Sequence, residues 1–154
     1  MNKFAFLIGV DQYQHLPADR QLPYVAEDVR QMSEVLQKVC GFSICESITG
    51  EEANVRKLSI KLREFCRQQC DPNTLLLLYF SGHGFLDEDR NGYLGCYDTE
   101  IYDEGLVQRA IEMRNLKEKF LERKLFARQV LIILDSCYSG AFFAKGQTSS
   151  EDFL

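Results

Sequence analysis

Two residues in this chain have the types and settings needed for covalent chemistry. His83 lies in Ser81-Gly-His83-Gly-Phe85, directly after the apolar run 74–80, and Cys137 lies in Asp135-Ser-Cys137-Tyr-Ser-Gly140, directly after the apolar run 129–134. A thiol attacks as its thiolate, and at the usual pKa of about 8.5 only a few per cent is ionised at neutral pH. An imidazole within reach takes that proton and later returns it to a leaving amine. Backbone N–H groups in tight turns can hold the oxyanion that forms in between, and Gly82, Gly84 and Gly140 allow such turns and a close approach to a ligand. The chemistry implied is acyl transfer through a Cys137–His83 dyad, with the N–H groups of Gly84 and Cys137 as oxyanion donors. A lone cysteine is usually a small packed hydrophobe. The placement of both residues just past apolar runs sets these two apart. No third member of a triad is visible.

The elements that must position them follow from periodicity. Runs 4–10, 43–48, 74–80 and 129–134 read as strands, and the last two are apolar on both faces, as in a parallel sheet covered by helices. Val25, Val29, Met32, Val35, Leu36 and Val39 form a helical stripe that Gly41 ends. Val55, Leu58, Leu62 and Phe65 form a second stripe, preceded by Thr49-Gly-Glu-Glu52, which fits a capping box, and stopped at Asp71-Pro72-Asn73. Leu106, Ala110, Met113, Leu116, Phe120 and Leu125 predict a third, amphipathic helix. The order β-α-β-α-β-insert-α-β, with right-handed crossovers, gives an α/β fold with a doubly wound, mostly parallel sheet flanked by helices. Such sheets carry their sites beyond the carboxyl ends of the strands, where His83 and Cys137 both fall.

Size and composition bound the rest. The 154 residues are 45% hydrophobic and 27% charged, the balance of a globular chain with one core. The domain is read as residues 1–144, with 145–154 a polar tail expected to be mobile. A net charge of −5 argues against nucleic acid or an anionic membrane as partner. Arg109, Arg114, Lys117, Lys119, Arg123, Lys124 and Arg128 crowd one segment, which reads as a solvated helix face. No run is long enough to span a membrane and no signal peptide opens the chain, so the expected location is the cytoplasm. The six cysteines are irregularly spaced and read as thiols of a reducing compartment. With no Cys-x2-Cys pair and two histidines, no metal site is expected.

The two chemical motifs also carry a resemblance. Tyr79-Phe-Ser-Gly-His-Gly84 and Asp135-Ser-Cys-Tyr-Ser-Gly140 resemble the His and Cys motifs of the caspase-like peptidases, family C14, and most closely those of bacterial caspases (orthocaspases) and metacaspases. Phe6-Leu-Ile-Gly-Val-Asp-Gln-Tyr13, Ala26-Glu-Asp28 and Gly92-Tyr-Leu-Gly-Cys-Tyr-Asp98 extend it over residues 3–143. Cys137 follows His83 by about 50 residues, as in animal caspases, but the string Gln-Ala-Cys-Arg-Gly is absent. The resemblance implies a three-layer sandwich and a cysteine endopeptidase needing no cofactor. It also implies that Asp28 and Asp135 line the pocket for the P1 side chain. Carboxylates there pair with Arg or Lys and repel Asp. Family members continue past the Cys motif into a small-subunit region with further strands. Here the chain ends at Leu154, so the large-subunit portion alone is expected, and the small-subunit segment of the same precursor becomes an expected partner. Sensing or adaptor modules are a further class of partner, and a scaffold with weak or no proteolysis is the alternative function.

Weaker signals read as structure. Asp87-Glu-Asp-Arg-Asn-Gly92 resembles the start of a calcium loop, but position twelve is Asp98 instead of Glu and a strand-like run follows, so an acidic turn is favoured, with calcium kept as the alternative. Cys96 reads as a packed thiol ahead of a redox group, and His15 as an exposed histidine in the loop 11–23.

Overall fold

The computed structural model describes residues 1–69, 71–103, 105–118, 127 and 129–137. The elements run β1 (Asn2–Gly9), α1 (Val25–Lys38), β2 (Ser43–Ile48), α2 (Val55–Gln69), β3 (Thr74–Ser81), β4 (Gly84–Leu86), β5 (Gly92–Leu94), β6 (Glu100–Ile101), β7 (Val107–Gln108), β8 (Ile111–Glu112), α3 (Met113–Lys117) and β9 (Gln129–Asp135). Four strands form one parallel sheet in the order β2-β1-β3-β9. The four strands expected from the sequence are these four.

The two central strands, β1 and β3, have two buried faces because helices cover both sides of the sheet. On one face Ala5, Leu7, Leu77 and Tyr79 pack with Val25, Val29 and Leu36 of α1. On the other, Phe6, Ile8, Leu76, Leu78 and Phe80 pack with Leu58, Leu62 and Phe65 of α2 and with Met113 and Leu116 of α3. Alternation along β1 and β3 thus feeds two cores, which is why both strands read as continuous apolar runs. The α/β, doubly wound arrangement is as the sequence implies.

The helix ends show how specific residues act. After α1, Gly41 takes φ +71° and the Phe42 N–H bonds back to the Leu36 carbonyl, which turns the chain into β2. The Thr49–Glu52 segment does not cap α2. Gly50–Ala53 is a 3-10 turn with no side-chain cap bond from Thr49. Asn54 caps the helix instead, its Oδ1 accepting from Lys57 N at 3.0 Å, while Asp98 Oδ1 accepts from Val55 N at 2.9 Å. Asn54 gives the helix an extended-backbone residue at its start, the geometry that lets a short side chain reach a first-turn N–H.

The insert between β3 and β9 departs from the sequence reading. Residues 106–112 are not helical. They contribute β7, paired antiparallel with β6, and β8, paired with β5, while β4 pairs with β5. Arg109 between β7 and β8 has φ +53°, which no α-helix admits. The buried Thr99 hydroxyl donates to the Arg109 carbonyl at 2.8 Å and accepts from Cys96 N at 2.7 Å, fixing this corner. Helix begins only at Met113. Phe120, Leu125, the motif residues 138–140 and the tail 145–154 lie outside the described residues.

Candidate active site

β3 and β9 are direct neighbours, in register from Leu75↔Gln129 to Ser81↔Asp135. Parallel strands in register end side by side, so the residues that follow them leave from one rim. His83 comes two residues after Ser81 and Cys137 two residues after Asp135. The turns stay in contact beyond the strands: Gly82 N donates to the Asp135 carbonyl at 3.2 Å. A Cβ placed on Gly84 would stand 1.9 Å from the Cys137 carbonyl oxygen, a distance no side chain tolerates. Only glycine lets the histidine turn lie this close to the cysteine backbone.

His83 is held on three sides. Its main-chain N–H donates to the Tyr13 hydroxyl at 2.7 Å, and its ring lies 4.9 Å from the Tyr13 ring and 5.9 Å from Phe85. Its Nε2 is 2.7 Å from the Arg20 carbonyl oxygen. A carbonyl only accepts, so Nε2 carries the hydrogen, and in the neutral ring Nδ1 is then the basic atom. The Arg20 carbonyl thus fixes the imidazole from its Nε2 side. Sequence reasoning missed it because a main-chain oxygen has no residue-type signature. Burial pushes the Tyr13 phenol well above its ordinary pKa, so it remains a neutral hydroxyl beside the imidazole.

Gly84 opens β4. The ladder bond from Gly95 N to the His83 carbonyl, 2.9 Å, makes His83 and Gly95 a hydrogen-bonded pair. Antiparallel pairs alternate, so the next pair, Gly84↔Leu94, is non-bonded and the Gly84 N–H faces away from β5. Cys137 itself is exposed.

Both aspartates act electrostatically on Tyr79. Tyr79 and Ser81 point to the α1 face of β3, and Asp135 is paired with Ser81. Asp28 lies in the first turn of α1 over that face. Burial raises the Tyr79 phenol pKa; a hydrogen bond with Ser81 opposes this, and the nearby carboxylates of Asp135 and Asp28 add to the rise. Both acids are therefore close enough to one buried hydroxyl to feel it. Asp28 and Asp135 are exposed and make no ion pair among the described residues. Glu27, one residue before Asp28, is instead tied to Arg30 and Gln31, and the Arg30 bond holds its carboxyl down at about 2. Tyr79 was read in the sequence only as part of its strand and of the His motif, although its place two residues before Ser81, the partner of Asp135, puts it on the same face.

The other candidates have structural employment. Asp87 accepts from Asn91 N at 2.7 Å, Asn91 Nδ2 at 2.9 Å and Tyr93 OH at 3.1 Å, closing the acidic turn. Asp98 caps α2, as described above. Among the described residues, no group of three His, Cys, Asp or Glu side chains is arranged to hold a metal ion. Cys96 is fully buried, and burial pushes its thiol up, away from the thiolate. His15 is an exposed residue 3.4 Å from Glu100. Among the described residues, no helix is long and apolar enough to cross a membrane.

The family model of the caspase domain, peptidase C14, matches residues 2–152. The chain belongs to the caspase-domain family. No curated protein matches it in a sequence search. Family C14 is one of cysteine-type peptidases, so proteins are the substrate class of the family, and the parallel sheet with helices on both faces is the caspase-like architecture.

Proposed function

We propose that this caspase domain is the catalytic portion of a cysteine endopeptidase that cleaves after Arg or Lys. Cys137 Sγ attacks the scissile carbonyl carbon while His83 Nδ1 takes the thiol proton. The Gly84 and Cys137 N–H groups hold the oxyanion. As the tetrahedral intermediate collapses, the C–N bond breaks and Nδ1–H protonates the leaving amine. His83 then deprotonates a water, which hydrolyses the thioester and frees Cys137. The observation that carries this reading is the in-register end of β3 and β9, which brings the two turns against each other with Gly84 on the Cys137 carbonyl. The outward Gly84 N–H and the Nε2-bound Arg20 carbonyl support it.

Selection of a basic P1 side chain rests on Asp28 and Asp135. Both carboxylates act electrostatically on the Tyr79 hydroxyl, and neither is paired with a described cation. A guanidinium or ammonium entering there gains charge-assisted hydrogen bonds, and an Asp side chain meets like charge.

The reading includes a second chain segment. β9 lies at one end of the sheet order, yet Val130, Ile132, Ile133 and Leu134 are half-buried and Leu131 is exposed. Among the described residues no strand pairs with the outer edge of β9, and an apolar edge strand invites another strand. The small-subunit segment of the same precursor fills that role in this reading, in the cytoplasm, with no cofactor.

The test is cleavage of fluorogenic Arg-, Lys- and Asp-P1 peptides by the chain, alone and joined to the segment that follows it, beside Cys137→Ala. The expected result is basic-P1 cleavage that Cys137→Ala abolishes. Faster Asp-P1 cleavage would overturn the specificity. Silence of the complete domain, with reductant and calcium present, would turn the reading to a scaffold.

A further inference from the structure

We propose that Gln21 is a positioning residue for His83, its amide clamping the loop 11–23 so that the Arg20 carbonyl stays on Nε2 and the ring is held in its Nε2–H tautomer. This rests on the reading of His83 as the base.

The loop that supplies the Arg20 carbonyl has little structure of its own. Between β1 and α1 it contains one 3-10 turn, Ala18–Arg20, with no buried residue. Tyr13, Leu16 and Leu22 pack on the core, but the turn that presents the carbonyl buries nothing of its own and needs another tie. The side chain next to Arg20 supplies the missing frame. Gln21 Oε1 accepts from Tyr13 N at 2.6 Å, while Gln21 Nε2 donates to the carbonyls of Tyr13 at 3.0 Å and Leu16 at 2.9 Å. A third, longer contact reaches the Pro17 carbonyl at 3.4 Å. One carboxamide therefore bonds both main-chain groups of Tyr13, as a neighbouring strand would, and also ties in the turn that leads to Arg20. Main-chain bonds close the loop at its base: Leu22 N to the Asp11 carbonyl at 2.9 Å and Gln14 N to the Tyr97 carbonyl at 2.8 Å.

The clamp acts on His83 from two directions at once. Tyr13, which it grips at one end, accepts the His83 main-chain N–H and stacks on the ring. Arg20, adjacent in the chain at the other end, meets Nε2. The two contacts can hold the imidazole only if Tyr13 and Arg20 keep a fixed separation, and the Gln21 amide spans that separation. Glutamine suits this work because it both accepts and donates. Glutamate would face two carbonyl oxygens with a carboxylate, and methionine, of similar length, would make none of these bonds.

The measurement is 15N NMR of the His83 ring in this chain, compared with Gln21→Met and Gln21→Glu, with thermal melting alongside. The wild type is expected to show one tautomer, protonated at Nε2. Gln21→Met is expected to show mixed Nδ1–H and Nε2–H signals. Gln21→Glu does the same if Gln21→Met does not fold. In the complete, active domain, kcat falls about 10- to 100-fold with KM little changed, the signature of a misplaced base. A lowered melting temperature with the Nε2–H signal intact would reduce Gln21 to a structural residue and overturn the proposal, as would an Nδ1–H wild type. The ring measurement needs no catalysis, so an inactive peptidase and a failed clamp give different results.

Discussion

The parallel sheet and the insert that interrupts it are built on different principles. β1 and β3 are apolar on both faces because helices cover both sides of the sheet, and burial on both sides of their main-chain ladder holds them: Phe6, Leu76 and Phe80 expose nothing. The insert, 84–118, joins two- and three-residue strands and the short helix α3, anchors Leu94, Cys96 and Met113 in the core, and fixes its turns by individual hydrogen bonds at Thr99 and Asp87 and by the positive-φ residues Arg90 and Arg109. The sheet places the proposed catalytic residues just past the ends of its strands, and the insert meets them there, β4 carrying Gly84 against the Cys137 carbonyl and Gly95 after β5 bonding the His83 carbonyl. A site at the seam inherits rigidity from the sheet and its contact geometry from the insert.

The largest effect expected on stability tests the sheet. Phe80→Ala removes a fully buried ring and should cost about 3–5 kcal/mol, lowering the melting temperature by roughly 10 °C. Val107→Ala, in the insert, should cost only about 1–2 kcal/mol. Equal losses by thermal melting would erase the contrast. At the seam, Gly84→Ala forces a methyl onto the Cys137 carbonyl. Its kcat/KM should drop by about 100-fold, since small displacements of reacting groups cost that much, and a fully active Gly84→Ala would show that the two turns need no close contact. Asp135→Asn, and separately Asp28→Asn, should lower kcat/KM for Arg-P1 peptides about 10- to 100-fold while Asp-P1 cleavage holds or rises. An unchanged Arg-to-Asp preference in both would remove the carboxylates from the pocket.

The smallest effect lies within the insert. Asp87→Ala should destabilise by about 1–2 kcal/mol through the loss of its bonds from Asn91 and Tyr93. Burial raises the Asp87 pKa, but the hydrogen bonds from Asn91, Tyr93 and the Asp89 N–H outweigh it and hold the value below the ordinary carboxylate range. A lowered folded pKa means the contribution is complete above the unfolded value of about 3.9 and is lost as pH falls through the folded one. The gap between wild type and Asp87→Ala, followed by denaturant titration, should close only in acid. A gap constant down to pH 2 would deny the carboxylate its part.

What could be read in the sequence divides along the same line. The strands at 74–80 and 129–134 were legible because double-sided burial writes an unbroken apolar run, and their carboxyl ends pointed to His83 and Cys137. The stripe from Leu106 to Leu116 imitated a helix by spacing alone: Leu106 is exposed and Val107 beside it is buried, and no residue type announces φ +53° at Arg109. Thr49 matched a capping pattern, but Asn54 sits where α2 begins, and the helix takes its second cap from distant Asp98. Arg20 was illegible for a different reason: its part at His83 is played by a carbonyl that every residue has. The carboxylates that act on Tyr79 lie 51 and 56 positions away and Gln21 bonds Tyr13 across 8, pairings that periodicity cannot supply.

The central claim is that one thiol, at the end of β9, is the nucleophile. It is tested most directly by treating the complete domain with a P1-Arg acyloxymethyl ketone and locating the adduct by mass spectrometry. A single thioether at Cys137, absent from Cys137→Ala and formed far more slowly in His83→Ala, is the predicted result. An adduct spread over exposed Cys45 and other thiols, or formed equally fast without His83, would contradict it.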